Sequence, residues 1–135
     1  MLKKEQKTNV QVTANFNLSE MEYYDVIPPN LVANASELLK NLQVIRDACG
    51  KSITIISGYR SPDRNKAVNG ASNSQHMYGI AADIKIAGMK PKEMNALIEK
   101  LIKEGKLKEG GLGLYDRPDG WVHYDIRGTK ARWNG

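Results

Sequence analysis

Two histidines are the only ones in this chain, and each is followed closely by an aspartate. His76 lies in the segment SQHMYGIAAD, which ends at Asp83, and His123 lies in the segment WVHYD, which ends at Asp125. Two imidazoles and the carboxylate of Asp83 make three protein ligands with a fourth position left for water, which is the composition of a catalytic zinc site. We therefore predict that His76, Asp83 and His123 converge on one metal ion.

The alternative is that both histidines are ordinary, partly buried side chains that hydrogen-bond their neighbours. Each histidine is followed by an aspartate and surrounded by small or apolar residues. That this combination occurs twice favours one shared site over two unrelated histidines. A closed structural zinc site would use cysteines, and Cys49 is the only one. One cysteine also excludes a disulfide within the chain, so the redox compartment stays open.

The length of 135 residues predicts one domain with one core. Residues 1–15 are polar and without clear period, so we expect an N-terminal arm followed by a single domain over residues 16–135. No apolar run has the length of a membrane span, and the amino terminus lacks the apolar centre of a signal peptide.

The net charge of +5 favours anionic partners, which include nucleic acid, lipid headgroups and cell-wall polymers. Solubility alone is the plainer interpretation of that charge. The lysines are dispersed and no basic stripe is interleaved with aromatic residues, so we expect no nucleic-acid partner.

Hydrophobic periodicity predicts an α+β fold. Apolar residues recur at three- and four-residue steps over residues 31–48 and 94–102, which indicates two amphipathic helices. Residues 62–73 have loop composition, with room for one helical turn, and Ser19 with Glu22 forms a candidate capping box. We expect a small antiparallel sheet, with the two long helices packed on it, from strands near residues 53, 82, 112 and 123.

The pattern SxHxxGxAxD, followed later by a strand with HxD, resembles the family of zinc D-alanyl-D-alanine carboxypeptidases and murein endopeptidases. The segment SGYRSP at residues 57–62 is similar to another motif of that family, and the resemblance extends over residues 16–133. It implies the DD-peptidase fold, which hedgehog-type domains share, with zinc as cofactor. It also implies hydrolysis of the peptide stems or crosslinks of peptidoglycan.

The resemblance also implies roles for other residues. Arg60 would stabilise the oxyanion or hold a substrate carboxylate, rather than serve as a plain surface cation, and Ser74 would hydrogen-bond the substrate near the cleaved bond. The family often has an acid three residues before its second histidine, a position that Gly120 occupies here. Asp125 is therefore expected to act either as base for the attacking water or as the residue that orients His123.

The implied partner is a peptidoglycan peptide, and we expect a monomer that acts on the cell wall in the periplasm or outside the cell. Without an encoded leader, such an enzyme would be a phage lysin released by lysis, or a chain trimmed of its leader. The alternative function is a catalytically inactive, zinc-containing or metal-free binding module of the same fold. The choices between carboxypeptidase and endopeptidase, and among the bonds of peptidoglycan, stay open.

Overall fold

Five strands form a single sheet in the computed structural model, which describes residues 1–135. They are β1 (Ile53–Ser57), β2 (Ala81–Ile86), β3 (Gly111–Tyr115), β4 (Trp121–Asp125) and β5 (Ala131–Asn134). Their order across the sheet is β1-β2-β4-β3-β5, so β2 and β4 are neighbours near its centre. The contacts β1–β2, β2–β4 and β3–β4 are antiparallel, and β5 lies parallel to β3.

The helices are α1 (Val32–Cys49), α2 (Pro62–Ala67) and α3 (Pro91–Lys103). The periodicity of the sequence correctly predicted α1 and α3. Gly50 ends α1 in the left-handed conformation, with φ of 66°, a region that glycine enters without a steric penalty. Four short 3₁₀ helices complete the inventory: Lys4–Gln6, Leu18–Met21, Pro29–Leu31 and Gln75–Tyr78.

One continuous hydrophobic cluster joins the helices to the sheet. It confirms the predicted α+β class, because the apolar faces of both long helices and of the central strands are buried in it. Each fully buried aliphatic or aromatic side chain contributes about 1.5–3 kcal/mol relative to exposure. Its largest fully buried members include Leu38, Leu39, Leu42, Ile84, Met94, Ile98 and Tyr124. None of the helices has the length and apolar character needed to cross a membrane.

The prediction of a four-stranded antiparallel sheet was incomplete. Strand β5 adds a fifth member, and its parallel contact with β3 makes the sheet mixed. The sequence of β5 is only four residues long and contains no β-branched residue. Such a segment carries little intrinsic strand signal, and its pairing with β3 is what orders it.

The first fifteen residues contact the rest of the domain at several points. The backbone N–H of Leu2 donates to the carbonyl of Tyr23 at 2.7 Å, and the hydroxyl of Thr13 donates to the Gln43 side chain at 2.7 Å. The boundary between arm and domain at residue 16 stays a prediction.

The predicted capping box at Ser19 was wrong by two residues. The 3₁₀ helix begins at Leu18, so Asn17 is its cap and accepts a hydrogen bond from the Ser19 N–H at 3.0 Å. Glu20 completes the box by accepting from the backbone N–H of Asn17 at 2.7 Å. Glu22 is thereby left free for a different role.

Glu22 is fully buried and ties the N-terminal segment to the domain. Its carboxylate accepts hydrogen bonds from the backbone N–H and the hydroxyl of Thr8 and from the backbone N–H of Ile27. A buried carboxylate is costly unless such donors compensate for the lost water. These three bonds make Glu22 a structural acid.

We expect Glu22→Ala to lower the free energy of unfolding by about 3 kcal/mol, because it leaves buried donors without an acceptor. Urea titration followed by circular dichroism measures the change. Glu5→Ala, at an exposed position in the first 3₁₀ helix, is the matched control and should change stability by less than about 0.5 kcal/mol. Equal unfolding midpoints for the two variants would contradict the structural role of Glu22.

Candidate metal centre

Three separate elements bring His76, Asp83 and His123 together. His76 lies in the 3₁₀ helix Gln75–Tyr78, Asp83 lies in β2 and His123 lies in β4. The register of β2 and β4 sets Asp83 directly opposite His123, on the same face of the sheet. One potential ligand atom from each residue lies within 4.8 Å of the other two, and all three side chains are buried.

Hydrogen bonding fixes which nitrogen of His76 faces the cluster. Its Nδ1 lies 2.8 Å from the carbonyl oxygen of Gly58, which only accepts, so Nδ1 carries the proton. The lone pair is then on Nε2, which lies 3.5 Å from Oδ1 of Asp83. A histidine held in this way by a backbone carbonyl is oriented as metal-binding histidines are.

His123 presents the opposite nitrogen by the same logic. Its Nε2 lies 2.6 Å from Oδ2 of Asp125 and donates to that carboxylate. Its Nδ1 is left with the lone pair, 3.3 Å from Oδ1 of Asp83. Both imidazoles therefore direct a lone pair towards the Asp83 carboxylate. Two nitrogen atoms and one carboxylate oxygen, all potential metal ligands, thus face one point.

Asp125 is surrounded by donors. Oδ1 accepts from the backbone N–H of Gly111 at 2.8 Å and from Nε of Arg127 at 2.9 Å, and Oδ2 accepts from Nη2 of Arg127 at 2.7 Å as well as from His123. The side chain has no exposed surface. A side chain at Gly111 would collide with this carboxylate, since an added Cβ would lie 2.2 Å from Oδ2.

The pKa values of the acids follow from these contacts. Burial alone would raise the pKa of Asp83, but hydrogen bonds with His123 and His76 outweigh it and hold the pKa well below its usual range. Burial likewise opposes ionisation of Asp125, and hydrogen bonds from His123 and Arg127 lower its pKa despite that. Both carboxylates are thus ionised at neutral pH.

The pKa of His123 is raised. Burial lowers it, but the hydrogen bond to Asp125 and the contact with Asp83 favour the charged form more strongly. A positive charge is therefore favoured between His123 and Asp83. A divalent metal ion bound there would provide that charge, and Nδ1 of His123 would then carry no proton. The donor set of two imidazoles and one ionised carboxylate fits a metal ion that prefers nitrogen and oxygen ligands, zinc among them.

A cavity of about 440 Å³ opens over the three residues. Arg60 and Ser74, which the sequence analysis singled out, both line it, and Asp83 is its only carboxylate. Asp125 is not part of the wall, because it lies behind His123.

Arg60 is held at the edge of the cluster. Its Nη2 lies 3.7 Å from Oδ2 of Asp83, and its Nη1 donates to Oδ1 of Asn65 at 3.2 Å. Asn65 is buried and is itself fixed by a hydrogen bond to the carbonyl of Ala71. Ser74 caps the 3₁₀ helix that carries His76, because its hydroxyl accepts from the His76 N–H at 3.3 Å.

Two further residues, Arg127 and Trp133, line the cavity and were not predicted from the sequence. Arg127 follows Asp125 by two residues, so an HxDxR pattern was a signal available in the sequence. Trp133 reaches the site only through the unpredicted strand β5, where its ring centroid lies 4.8 Å from that of His123. Gly113 makes room for it, since an added Cβ would lie 2.5 Å from the indole.

The acid beside Gly120 lies away from the cluster. Asp119 forms the turn between β3 and β4 with a positive φ of 58°, and its exposed carboxylate pairs with Lys85. The side chain of Asp119 does not line the cavity.

A profile of the family described as Peptidase M15 matches residues 9–125. The chain belongs to the peptidase M15 family. The matched range includes all three residues of the metal cluster, together with Arg60, Ser74 and Asp125. Strand β5, with Trp133, lies beyond the match.

The M15 chain is also similar to the zinc D-Ala-D-Ala carboxypeptidase of Streptomyces albus G. The two are 53% identical over 53 residues, which is 38% of this chain and 21% of that protein. The similarity thus covers about a fifth of the length of the curated relative.

For the M15 chain we expect His76→Ala, Asp83→Ala and His123→Ala each to lose stoichiometric zinc, because each removes one of three converging ligands. Elemental analysis after zinc loading and gel filtration measures the metal. Asp119→Ala is the matched control, since it removes an exposed acid outside the cavity and should retain the zinc of the parent chain. Full retention of zinc by any of the three alanine variants would contradict that residue's place in the ligand set.

Proposed function

We propose that the chain is a zinc-dependent peptidase that hydrolyses the peptide stems or crosslinks of peptidoglycan, as a D-Ala carboxypeptidase or a murein endopeptidase. The observation that carries the proposal is the convergence of two tautomer-fixed imidazoles and one ionised carboxylate within an M15 family chain. The name of the Streptomyces relative supports both the metal and the substrate class.

His76, Asp83 and His123 hold the zinc in this proposal. Bound zinc supplies a Lewis acid that polarises a carbonyl and lowers the pKa of a coordinated water to about 7. Arg60 binds the oxyanion or a carboxylate of the substrate, since it lines the cavity and a planar guanidinium can donate two parallel hydrogen bonds. Ser74 lines the same cavity and hydrogen-bonds the substrate near the cleaved bond.

Asp125 is the residue that orients His123, rather than the base. A general base must reach the proton it removes, directly or through one water. The carboxylate of Asp125 is fully buried and already accepts from His123, Arg127 and Gly111. Arg127 acts through it, because the bidentate contact fixes the carboxylate that fixes the imidazole.

We propose further that the protein acts on the cell wall as a monomer, since one chain supplies the whole ligand set. Release by phage lysis is one route to that location, and an export leader upstream is the other. The net charge of +5 suits binding to an anionic wall polymer.

A specific observation favours a second candidate. Asp83 is the only carboxylate that lines the cavity, and it is assigned to the metal, so no free acid is in place as base. A zinc-containing module that binds cell-wall peptide or protein without hydrolysis is the function consistent with that absence.

We expect Asp125→Asn to weaken zinc affinity by about 10- to 100-fold, because an amide no longer fixes the tautomer of His123. Competition with a chromogenic chelator measures the affinity. Glu109→Gln is the control, since that acid pairs with Arg132 away from the cavity. Loss of hydrolysis with unchanged zinc affinity would instead assign Asp125 as base.

We expect zinc-loaded protein to release new fragments from purified peptidoglycan, detected by mass spectrometry, and His123→Ala to release none. The lost mass identifies the bond and separates carboxypeptidase from endopeptidase activity. Walls of several crosslink chemistries, incubated in parallel, make a negative result informative. Bound zinc with no fragment from any wall would overturn the peptidase proposal in favour of the binding module.

A further inference from the structure

A second cavity adjoins the first one across Arg60. Its volume is about 410 Å³, and Arg60 and Val68 line both cavities. Gly58 also lines the second cavity, and its carbonyl oxygen is the one that accepts a hydrogen bond from Nδ1–H of His76. The second cavity is therefore an extension of the metal-site cleft on the other side of the Arg60 side chain.

The charge of the second cavity is one-sided. Its ten lining residues include two arginines, Arg60 and Arg64, and no acid. Three tyrosines, Tyr23, Tyr24 and Tyr59, form much of the remaining wall. Arginine and tyrosine around an otherwise apolar hollow make a surface suited to a ligand that combines aliphatic parts with an anionic group.

Arg64 is held in place but its donors are free. Its guanidinium carbon lies 3.5 Å from the centre of the Tyr24 ring, a stacked cation–π contact. The Arg64 backbone N–H donates to the hydroxyl of Ser61, which caps the helix α2. The side chain itself makes no hydrogen bond or ion pair within the protein, in contrast to Arg60 and Arg127, which contact carboxylates.

On the basis of the proposed function, we propose that this second cavity is a subsite for the carboxylate of an extended stem peptide, and that Arg64 binds it. The planar guanidinium of Arg64 matches a carboxylate with two parallel hydrogen bonds. Stacking on Tyr24 restricts the side chain beforehand, so less conformational entropy is lost on binding. Arg64 is thus a specificity residue, separate from the metal cluster.

The subsite defines the class of substrate. A peptide that ends within the first cavity cannot use Arg64, whereas a stem peptide that continues past Arg60 reaches it. The internal acid of such a stem is its D-glutamate, whose carboxylate is free in some walls and amidated in others. The protein is therefore selective for stems with the free carboxylate over stems with the carboxamide.

Two synthetic pentapeptides test the subsite: L-Ala-γ-D-Glu-L-Lys-D-Ala-D-Ala with a free D-Glu α-carboxylate, and the same peptide with a carboxamide there. Calorimetric binding to the zinc-loaded parent, at low temperature and before turnover, gives the ratio of the two Kd values. Hydrolysis rates give the corresponding ratio of kcat/KM. We expect the parent to prefer the free carboxylate by about tenfold or more, the effect of one good hydrogen-bonded charge pair.

Arg64→Gln should reduce that preference to near unity, in binding and in kcat/KM. Lys66→Gln is the matched control, because Lys66 lies in the same helix, is exposed and lines neither cavity. It should keep the preference of the parent. Tyr24→Leu removes the stacking partner and should give an intermediate ratio, and urea unfolding checks that all three variants are folded.

The outcomes separate this inference from the proposed function. Hydrolysis of both peptides with equal preference in the parent and Arg64→Gln overturns the subsite and leaves the peptidase intact. Binding selectivity that Arg64→Gln abolishes, with no hydrolysis by the parent, supports the subsite in a binding module. Absence of any binding difference between the two peptides in the parent overturns the subsite in either case.

Discussion

Asp83 on β2 and His123 on β4 face each other in adjacent strands near the centre of the sheet, in a buried layer. A buried carboxylate beside a buried imidazole costs several kcal/mol unless each is paired. The third member, His76, arrives from outside the sheet on a short helix and completes the pairing. The fold thus buries these three side chains where they are stable only in contact with one another or with a cation. The residues around them meet that requirement.

The two imidazoles are each held in position by a hydrogen bond to a different part of the structure. The Gly58 carbonyl at the end of β1 holds one imidazole, and the buried Asp125 carboxylate, gripped by Arg127, holds the other. Neither Gly58 nor Asp125 lines the cavity over the three residues, so both hold their imidazoles from behind. Arg60 stands at the boundary, since it contacts Asp83 on one side and separates the two cavities on the other.

Features of the structure that are encoded by short-range sequence patterns could be predicted from the sequence. The periods of α1 and α3 and the scarcity of histidine were enough to obtain the fold class and the residues that converge. Strand β5 was missed because its order comes from pairing with β3, a contact distant in sequence. The contacts of Asp125 were equally out of reach, because they depend on how Gly111 and Arg127 meet around it. The prediction that Glu22 belongs to a capping box was wrong for the same reason. A buried acid of this kind can be recognised only when the groups that donate to it are known.

Trp133 lines the cavity, and its indole occupies the space where a side chain at Gly113 on β3 would be. The two positions are therefore constrained as a pair. In related chains, a larger residue at the position of Gly113 requires a smaller one at the position of Trp133, and the wall behind His123 changes shape accordingly. Variation in cleft width across such chains is then expected to arise by correlated replacement at these two sites, without change at His76, Asp83 or His123.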